Sequence, residues 1–344
     1  MKAVHRRFGV DGVDRDGRAR QHQHIIRPIA QRLVGDVDLV ATGVASPRKL
    51  RHRYRLVQDA DTFTKTLMRL PHTGSAAASM QVAESDGEEQ RMQLSGNTVL
   101  VTGGGSGIGR GLAEAFHRLG NDVIIAGRRL NRLEAVAEAN PGIQYLSLDQ
   151  GDSADIRRFA IELSDHHPDL NVLVNNAGIQ RVEDLTTGNP GTAEQTLAVN
   201  LLGPIRLTSA LLHLLLGRPR AAILNVTSGL AFMPSALTPT YCASKAAMHS
   251  YTQSLRFQLR ESAVQVIEII PPRVQTALQG DRGFDPRGMP LDEFISETMT
   301  LLQTKPDADE IVVERAKGFR FAERDGAFDE IYPVFNEKMT ADAD

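Results

Sequence analysis

From Thr98 onward, short apolar runs of strand length alternate with longer stretches of helical period, and this alternation restricts the fold most. Residues 98–102, 122–126, 143–148, 170–174, 221–226 and 264–270 read as buried strands. Between them, residues 108–119, 130–139, 153–166, 191–216 and 239–261 read as helices. Strands that are apolar almost throughout need cover on both faces, which parallel sheets receive from their crossover helices. The expected class is α/β: a doubly wound parallel sheet of Rossmann type, about seven strands, with helices on both faces. Ligand is expected at the carboxyl ends of the strands.

Composition removes other classes. The chain has 344 residues, one cysteine (Cys242) and no tryptophan. A disulfide framework and a Cys-rich zinc site are therefore excluded. No uninterrupted apolar run approaches the roughly 18 residues of a membrane span. The N-terminus lacks the apolar core of a secretory signal, and Asp11, Asp14 and Asp16 count against a transit peptide. A cytoplasmic location is expected.

A catalytic α/β domain of about 250 residues leaves a surplus of about 90. That surplus is the region 1–91, with a charge balance of +5 against −8 for residues 92–344. It shows no sustained period, so it reads as a largely disordered basic leader ahead of a domain spanning 92–344. Two other readings compete. Arg48, Lys49, Arg51, Arg53 and Arg55 could form a nucleic-acid arm, although charge runs are usually only solvated. Translation could instead begin at Met92, making 1–91 a gene-start artefact. Neither nucleic acid nor membrane is an expected partner.

The first strand runs into Thr102-Gly103-Gly104-Gly105-Ser106-Gly107-Ile108-Gly109, where a helix opens. Glycines there let backbone approach a pyrophosphate, and the N–H groups of the helix N-terminus face its charge. Tyr241 and Lys245 are spaced i, i+4 and share a helix face. A phenol titrates near 10, too high for proton exchange at pH 7, and a nearby ammonium is expected to lower it. Pro204 lies four residues after Asn200 and has no N–H, so the carbonyl of Asn200 loses its helical partner. After the second strand comes Gly127-Arg128-Arg129, where an NAD enzyme of this kind typically places an acidic residue on the ribose 2′-OH. A guanidinium suits a 2′-phosphate, so NADP(H) is expected to be preferred over NAD(H), with Arg128 foremost.

These residues resemble the short-chain dehydrogenase/reductase family. The resemblance rests on Gly103, Gly107 and Gly109 in the turn and on Asn175-Asn176-Ala177-Gly178. It also rests on Asn200, on Ser228 thirteen residues before Tyr241, and on Tyr241-Cys242-Ala243-Ser244-Lys245. It covers about 94–340. Ser228-Gly229-Leu230-Ala231-Phe232 and Pro271-Pro272-Arg273-Val274-Gln275-Thr276 further resemble the DltE-like oxidoreductase subgroup.

The resemblance implies a catalytic set of Asn200, Ser228, Tyr241 and Lys245. It implies cofactor contacts from Gly103, Ser106, Gly107, Ile108, Gly109, Arg128, Asp149, Asn175, Ala177, Gly178, Tyr241, Lys245 and Thr276. Tyr241 is the implied general acid/base, Ser228 holds the substrate oxygen, and Asn200 holds a relay water. Two departures stand out: Gln150 follows Asp149 where a small apolar residue is commoner, and Pro272 takes a glycine place. Arg273 reads as solvated, and residues 279–290 as a mobile lid. His249 and Cys242 read as packing residues, with no metal site.

The expected activity is hydride transfer between NADP(H) and a small-molecule carbonyl or alcohol. The alternative is a non-catalytic dinucleotide sensor that regulates a partner. The apolar helix 191–216 and the small residues beside Tyr241 suggest a homodimer or homotetramer.

Overall fold

The computed structural model describes residues 92–341, apart from residue 189 and the side chains of 281 and 282. The expected leader, 1–91, lies outside the described residues. Seven strands form one parallel sheet in the order β3-β2-β1-β4-β5-β6-β7. They are β1 (Thr98–Thr102), β2 (Asp122–Gly127), β3 (Gln144–Ser147), β4 (Val172–Asn175), β5 (Ala221–Val226), β6 (Val264–Ile270) and β7 (Glu310–Val312). Strand order reverses between β1 and β4, whose register pairs Val99 with Val172 and Val101 with Val174. The carboxyl ends of those two strands therefore flank the crevice where such sheets bind ligand.

The helices are α1 (Gly107–Arg118), α2 (Leu130–Ala139), α3 (Ser153–His166), α4 (Gly191–Leu197), α5 (Gly203–Leu216), α6 (Pro239–Leu259), α7 (Leu291–Thr304), α8 (Lys317–Arg320) and α9 (Phe328–Ala341). Alternation along β1 builds two cores. Val99 and Val101 join Leu112 and Phe116 of α1, Leu133 of α2 and Phe294 of α7 on one face. Leu100 joins Phe159 of α3, Leu207 and Leu211 of α5 and Leu255 of α6 on the other.

Three departures from the sequence reading have physical causes. The long helix at 191–216 is interrupted by a π-helical turn, Ala198–Leu202, just before Pro204. With its length and a mean hydropathy of 1.5 it could cross a membrane, yet Leu207, Leu211 and Leu215 are buried against the sheet. It is also not buried all round: Arg206, Ser209 and His213 are exposed. The third departure is β7, only three residues long, which no run in the sequence had marked.

Candidate active site

A cleft of about 980 Å3 opens along the carboxyl edge of the sheet, from Gly103–Ile108 and Arg128 at one end to Tyr241 and Lys245 at the other. The glycine turn is shaped by necessity. Gly103 and Gly107 have φ of +71° and +55°, where a side chain is strained. A Cβ on Gly109 would lie 2.4 Å from Asn176 Nδ2 and 2.5 Å from the Gly103 carbonyl oxygen. Replacing Gly109 with alanine must shift the turn, at about 1–3 kcal/mol of overpacking. We expect NADPH to bind about tenfold more weakly to Gly109→Ala, measured by quenching or transfer of nicotinamide fluorescence. Unchanged affinity would show that the turn does not touch the dinucleotide.

Thr102 ties this turn to the next motif. Its Oγ1 accepts from the backbone N–H of Asn176 and of Ala177, each at 3.0 Å, while Asn176 Nδ2 donates to its carbonyl at 2.9 Å. Ala177 and Gly178 line the cleft, and Ile108 packs against the core below it. Asn175 lies off the cleft wall. It donates to Thr208 at 3.1 Å and to Asn225 at 2.9 Å, in a buried polar row between β4, β5 and α5. Asp149 lines the cleft and accepts from Gly151 N–H at 2.9 Å. Thr276 packs its methyl edge on Gly107, 3.3 Å from where a Cβ would stand.

Arg128, Arg129 and Arg132 crowd the same end of the cleft. Arg129 Nη2 donates to Ser106 Oγ at 3.2 Å. Burial, with Arg132 and Arg128 as like charges, pulls the Arg129 guanidinium below its ordinary range. Such a cluster favours an anion.

At the other end, Tyr241 and Lys245 sit at the start of α6. Glu183 holds that start: its Oε1 accepts from Thr240 N–H at 3.0 Å and its Oε2 from Thr240 Oγ1 at 2.7 Å. The Tyr241 phenol and Ser228 line the same end of the cleft. Ser228 Oγ accepts from Leu230 N–H at 3.1 Å, which fixes the turn after β5. Lys245 Nζ donates to the Val226 carbonyl at 2.8 Å and stands 5.7 Å from the Tyr241 ring centre.

The expected lowering of the phenol is reversed in this structure. Burial pushes Tyr241 up to about 12, the nearby Ser228 hydroxyl offsetting only part of it. Burial also pulls the Lys245 ammonium down to about 8, against the attraction of Glu268. The ammonium bonds a carbonyl rather than the phenol, so desolvation of the phenolate wins.

Asn200 lies in the π-helical turn and is buried. Its Oδ1 accepts from Ile179 N–H and its Nδ2 donates to the Ile179 carbonyl, both at 2.9 Å. A Cβ on Gly178 would lie 3.4 Å from Asn200 Oδ1 and 3.8 Å from Lys245 Nζ. Asn200, Gly178 and Lys245 thus converge. Gln150, the unusual neighbour of Asp149, explains part of the helix break. Its Nε2 donates at 2.9 Å to the Val199 carbonyl, which Pro204 leaves without a partner at π-helical spacing. Its Oε1 is buried beside the cleft with no hydrogen-bond partner among the described residues.

The opposite wall was not legible in the sequence. Phe319, Phe335 and Met339, from α8 and α9, line the cleft beside Leu230 and Leu237. Asn336 pins α9 there, donating to the Pro234 carbonyl at 3.0 Å and accepting from Ala236 N–H at 2.6 Å. Arg273 is no solvated cation, since it pairs with Asp285 at 3.0 Å. The lid is likewise anchored: Gln275 N–H donates to the Met289 carbonyl at 2.9 Å, and Met289 N–H to Arg273 at 2.8 Å. Cys242 is buried and accepts from Ser235 N–H at 3.2 Å, a packing role. His249 does more than pack, because its Nδ1 lies 2.7 Å from Glu268.

Comparison with known proteins gives the family. The model of the short chain dehydrogenase family matches residues 97–285. An uncharacterised oxidoreductase, DltE, of Bacillus subtilis is 39% identical over 71% of this chain and 98% of its own. A short-chain dehydrogenase from Sphingobium yanoikuyae, solved with NADPH, superposes with a TM-score of 0.59 at 26% identity. That match covers 68% of this chain and 94% of the other. A relative from Burkholderia phymatum, solved with NAD, has a TM-score of 0.61 at 19% identity, covering 68% and 95%, and speaks for the fold alone. The chain therefore belongs to the short-chain dehydrogenase/reductase family, as an oxidoreductase of the DltE-like type.

Proposed function

We propose that this oxidoreductase transfers hydride between NADP(H) and a carbonyl or alcohol, with Tyr241 as general acid/base. The observation that carries the reading is that Ser228, Tyr241 and Lys245 line one end of a cleft whose other end is a glycine cradle ringed by arginines. The cradle, the arginine cluster and the orphaned Gln150 Oε1 fit an anionic dinucleotide with a purine end. When bound, NADPH supplies the hydride. Gly103, Ser106, Gly107 and Ile108 would face its pyrophosphate, Arg128 its 2′-phosphate and Asp149 its adenine end. Ala177, Gly178 and Thr276 would line the path to Lys245.

In reduction, Tyr241 gives its proton to the developing alkoxide while Ser228 donates a hydrogen bond to the same oxygen. The Lys245 ammonium then stabilises the phenolate left behind. Asn200 fixes the loop beside Lys245. The apolar wall of Phe319, Phe335 and Met339 favours a carbonyl carried on an apolar body. A panel of aldehydes, ketones and alcohols tested with both cofactors checks the reading. No turnover of any carbonyl or alcohol would overturn it, and equal use of NADH would overturn the cofactor preference.

We also propose a homodimer or homotetramer through α5 and α6. Phe257 is 67% exposed on α6, and Ala243 and Ala246 are exposed along the same helix. Light scattering should give a mass of two or four chains, reduced by Phe257→Asp. A native monomer would refute the assembly.

A further inference from the structure

Behind the Ser228–Tyr241–Lys245 group lies a second set of charged side chains that the reaction does not use. Glu268, in the middle of β6, is fully buried at 0% exposure. A carboxylate there is costly unless hydrogen bonds and charges answer it. Both oxygens are answered. Thr227 Oγ1 donates to Oε1 at 2.6 Å, and His249 Nδ1 lies 2.7 Å from Oε2. Thr227 directly precedes Ser228, and His249 follows Lys245 by one helical turn. The Lys245 ammonium holds the carbonyl of Val226, one residue before Thr227. The carboxylate and the ammonium therefore grip consecutive residues at the end of β5.

The charges around Glu268 are nearly balanced. From α6 come Tyr241, Lys245, His249 and Arg256. From β7 comes Glu310, which Arg320 of α8 holds in a two-pronged pair at 2.7 and 2.8 Å. Arg256 is turned toward Asp309, at 3.1 Å. The ligand atoms of His249, Glu268 and Glu310 lie within 4.8 Å of one another. The Arg320 guanidinium already engages both oxygens of Glu310, so the cluster has its cation and does not call for a metal. The charge of Glu268 is felt by both Arg320 and Lys245, and it raises the lysine against the pull of burial. Of the two, Lys245 also holds the residue next to Thr227, through the Val226 carbonyl.

We propose that Glu268 is a positioning residue for catalysis: its buried carboxylate is the fixed counter-charge of Lys245 and, through Thr227, anchors the turn that carries Ser228. This rests on the reading of Tyr241 and Lys245 given above. It assigns the Thr227–Glu268–His249 row a function distinct from packing. The row reaches no reacting atom and acts through the two residues that do.

The test separates charge from geometry, using the full-length chain. Lysine side-chain carbon NMR against pH follows Lys245 without any turnover, its signal assigned by Lys245→Arg. In Glu268→Gln the Lys245 titration should move down from about 8 by about one pH unit, because a nearby anion is gone. In Thr227→Val the carboxylate remains, so the Lys245 titration should stay in place. With para-nitrobenzaldehyde and NADPH as probes, kcat of Thr227→Val should fall about tenfold with KM little changed, and Thr227→Ser should restore it. A Lys245 titration unmoved in a natively folded Glu268→Gln overturns the counter-charge. Native kcat in Thr227→Val overturns the anchor, and that arm stands even if Glu268→Gln does not fold. Should Tyr241→Phe stay active on the same probe, the acid/base reading fails instead, while the Lys245 titration still judges Glu268 by itself.

Discussion

Tyr241→Phe is expected to lower kcat for carbonyl reduction by about 10³-fold while leaving NADPH affinity nearly unchanged. General acid catalysis by a positioned side chain contributes about 10²–10⁴-fold, and this substitution removes only the phenolic oxygen. The residue is buried, and it lines the cleft at the same end as Ser228, where a substrate oxygen would sit. The pH profile of the native enzyme should carry the same signature. Lys245 loses its proton near 8, and Tyr241 holds its own to about 12. Below about 8 the lysine is charged and the phenol protonated, the pair needed to donate a proton and to stabilise the phenolate left behind. Reduction should therefore be flat below that point and fall above it as the ammonium is lost. Stopped-flow measurement of hydride transfer across this range checks both statements. A Tyr241→Phe enzyme with more than a tenth of native kcat would remove the phenol from the mechanism.

Much of the fold could be read from the chain because its signals are local. Three strands, β1, β5 and β6, fall on the residues the pattern marks, and α2 and α3 do likewise, since buried runs and apolar periods need no distant partner. The π-helical turn was half legible: Pro204 announced a missing donor. The sequence pointed to the Asn200 carbonyl, whereas the one captured is that of Val199, by an amide on Gln150 49 residues away. The Glu268–His249 pair was not legible, because a strand residue and a helix residue 19 apart meet only once the helix has packed. The apolar wall from Phe319, Phe335 and Met339 was missed for a similar reason. Those side chains lie far from every motif, and α9 carries Pro333 inside it, a residue that argues against a helix in sequence. Tyr241 shows the opposite error. Its neighbour in sequence, Lys245, pointed to a lowered phenol, but burial depends on the whole fold and outweighs it.

Arg128→Glu is expected to reverse cofactor choice. At the end of β2 the chain offers Gly127 and then three guanidiniums, Arg128, Arg129 and Arg132, around Ser106. A charge-assisted hydrogen bond from an arginine to a 2′-phosphate contributes about 1.5–3 kcal/mol, less where water screens it, and Arg128 is exposed. Removing that bond alone should cost NADPH about tenfold. A carboxylate in its place adds repulsion against the phosphate and gains an acceptor for a free ribose 2′-OH. The combined swing in kcat/KM for NADPH relative to NADH should reach about 10²-fold. Arg129 tempers it, since its guanidinium is strained by like charges and gains when Arg128 becomes an anion. The double variant Arg128→Glu with Arg129→Ala should accordingly swing further than the single one. Competitive kinetics with both cofactors decide the matter: a ratio unchanged in both variants would place the 2′-phosphate elsewhere and leave the arginine cluster without a role in cofactor choice.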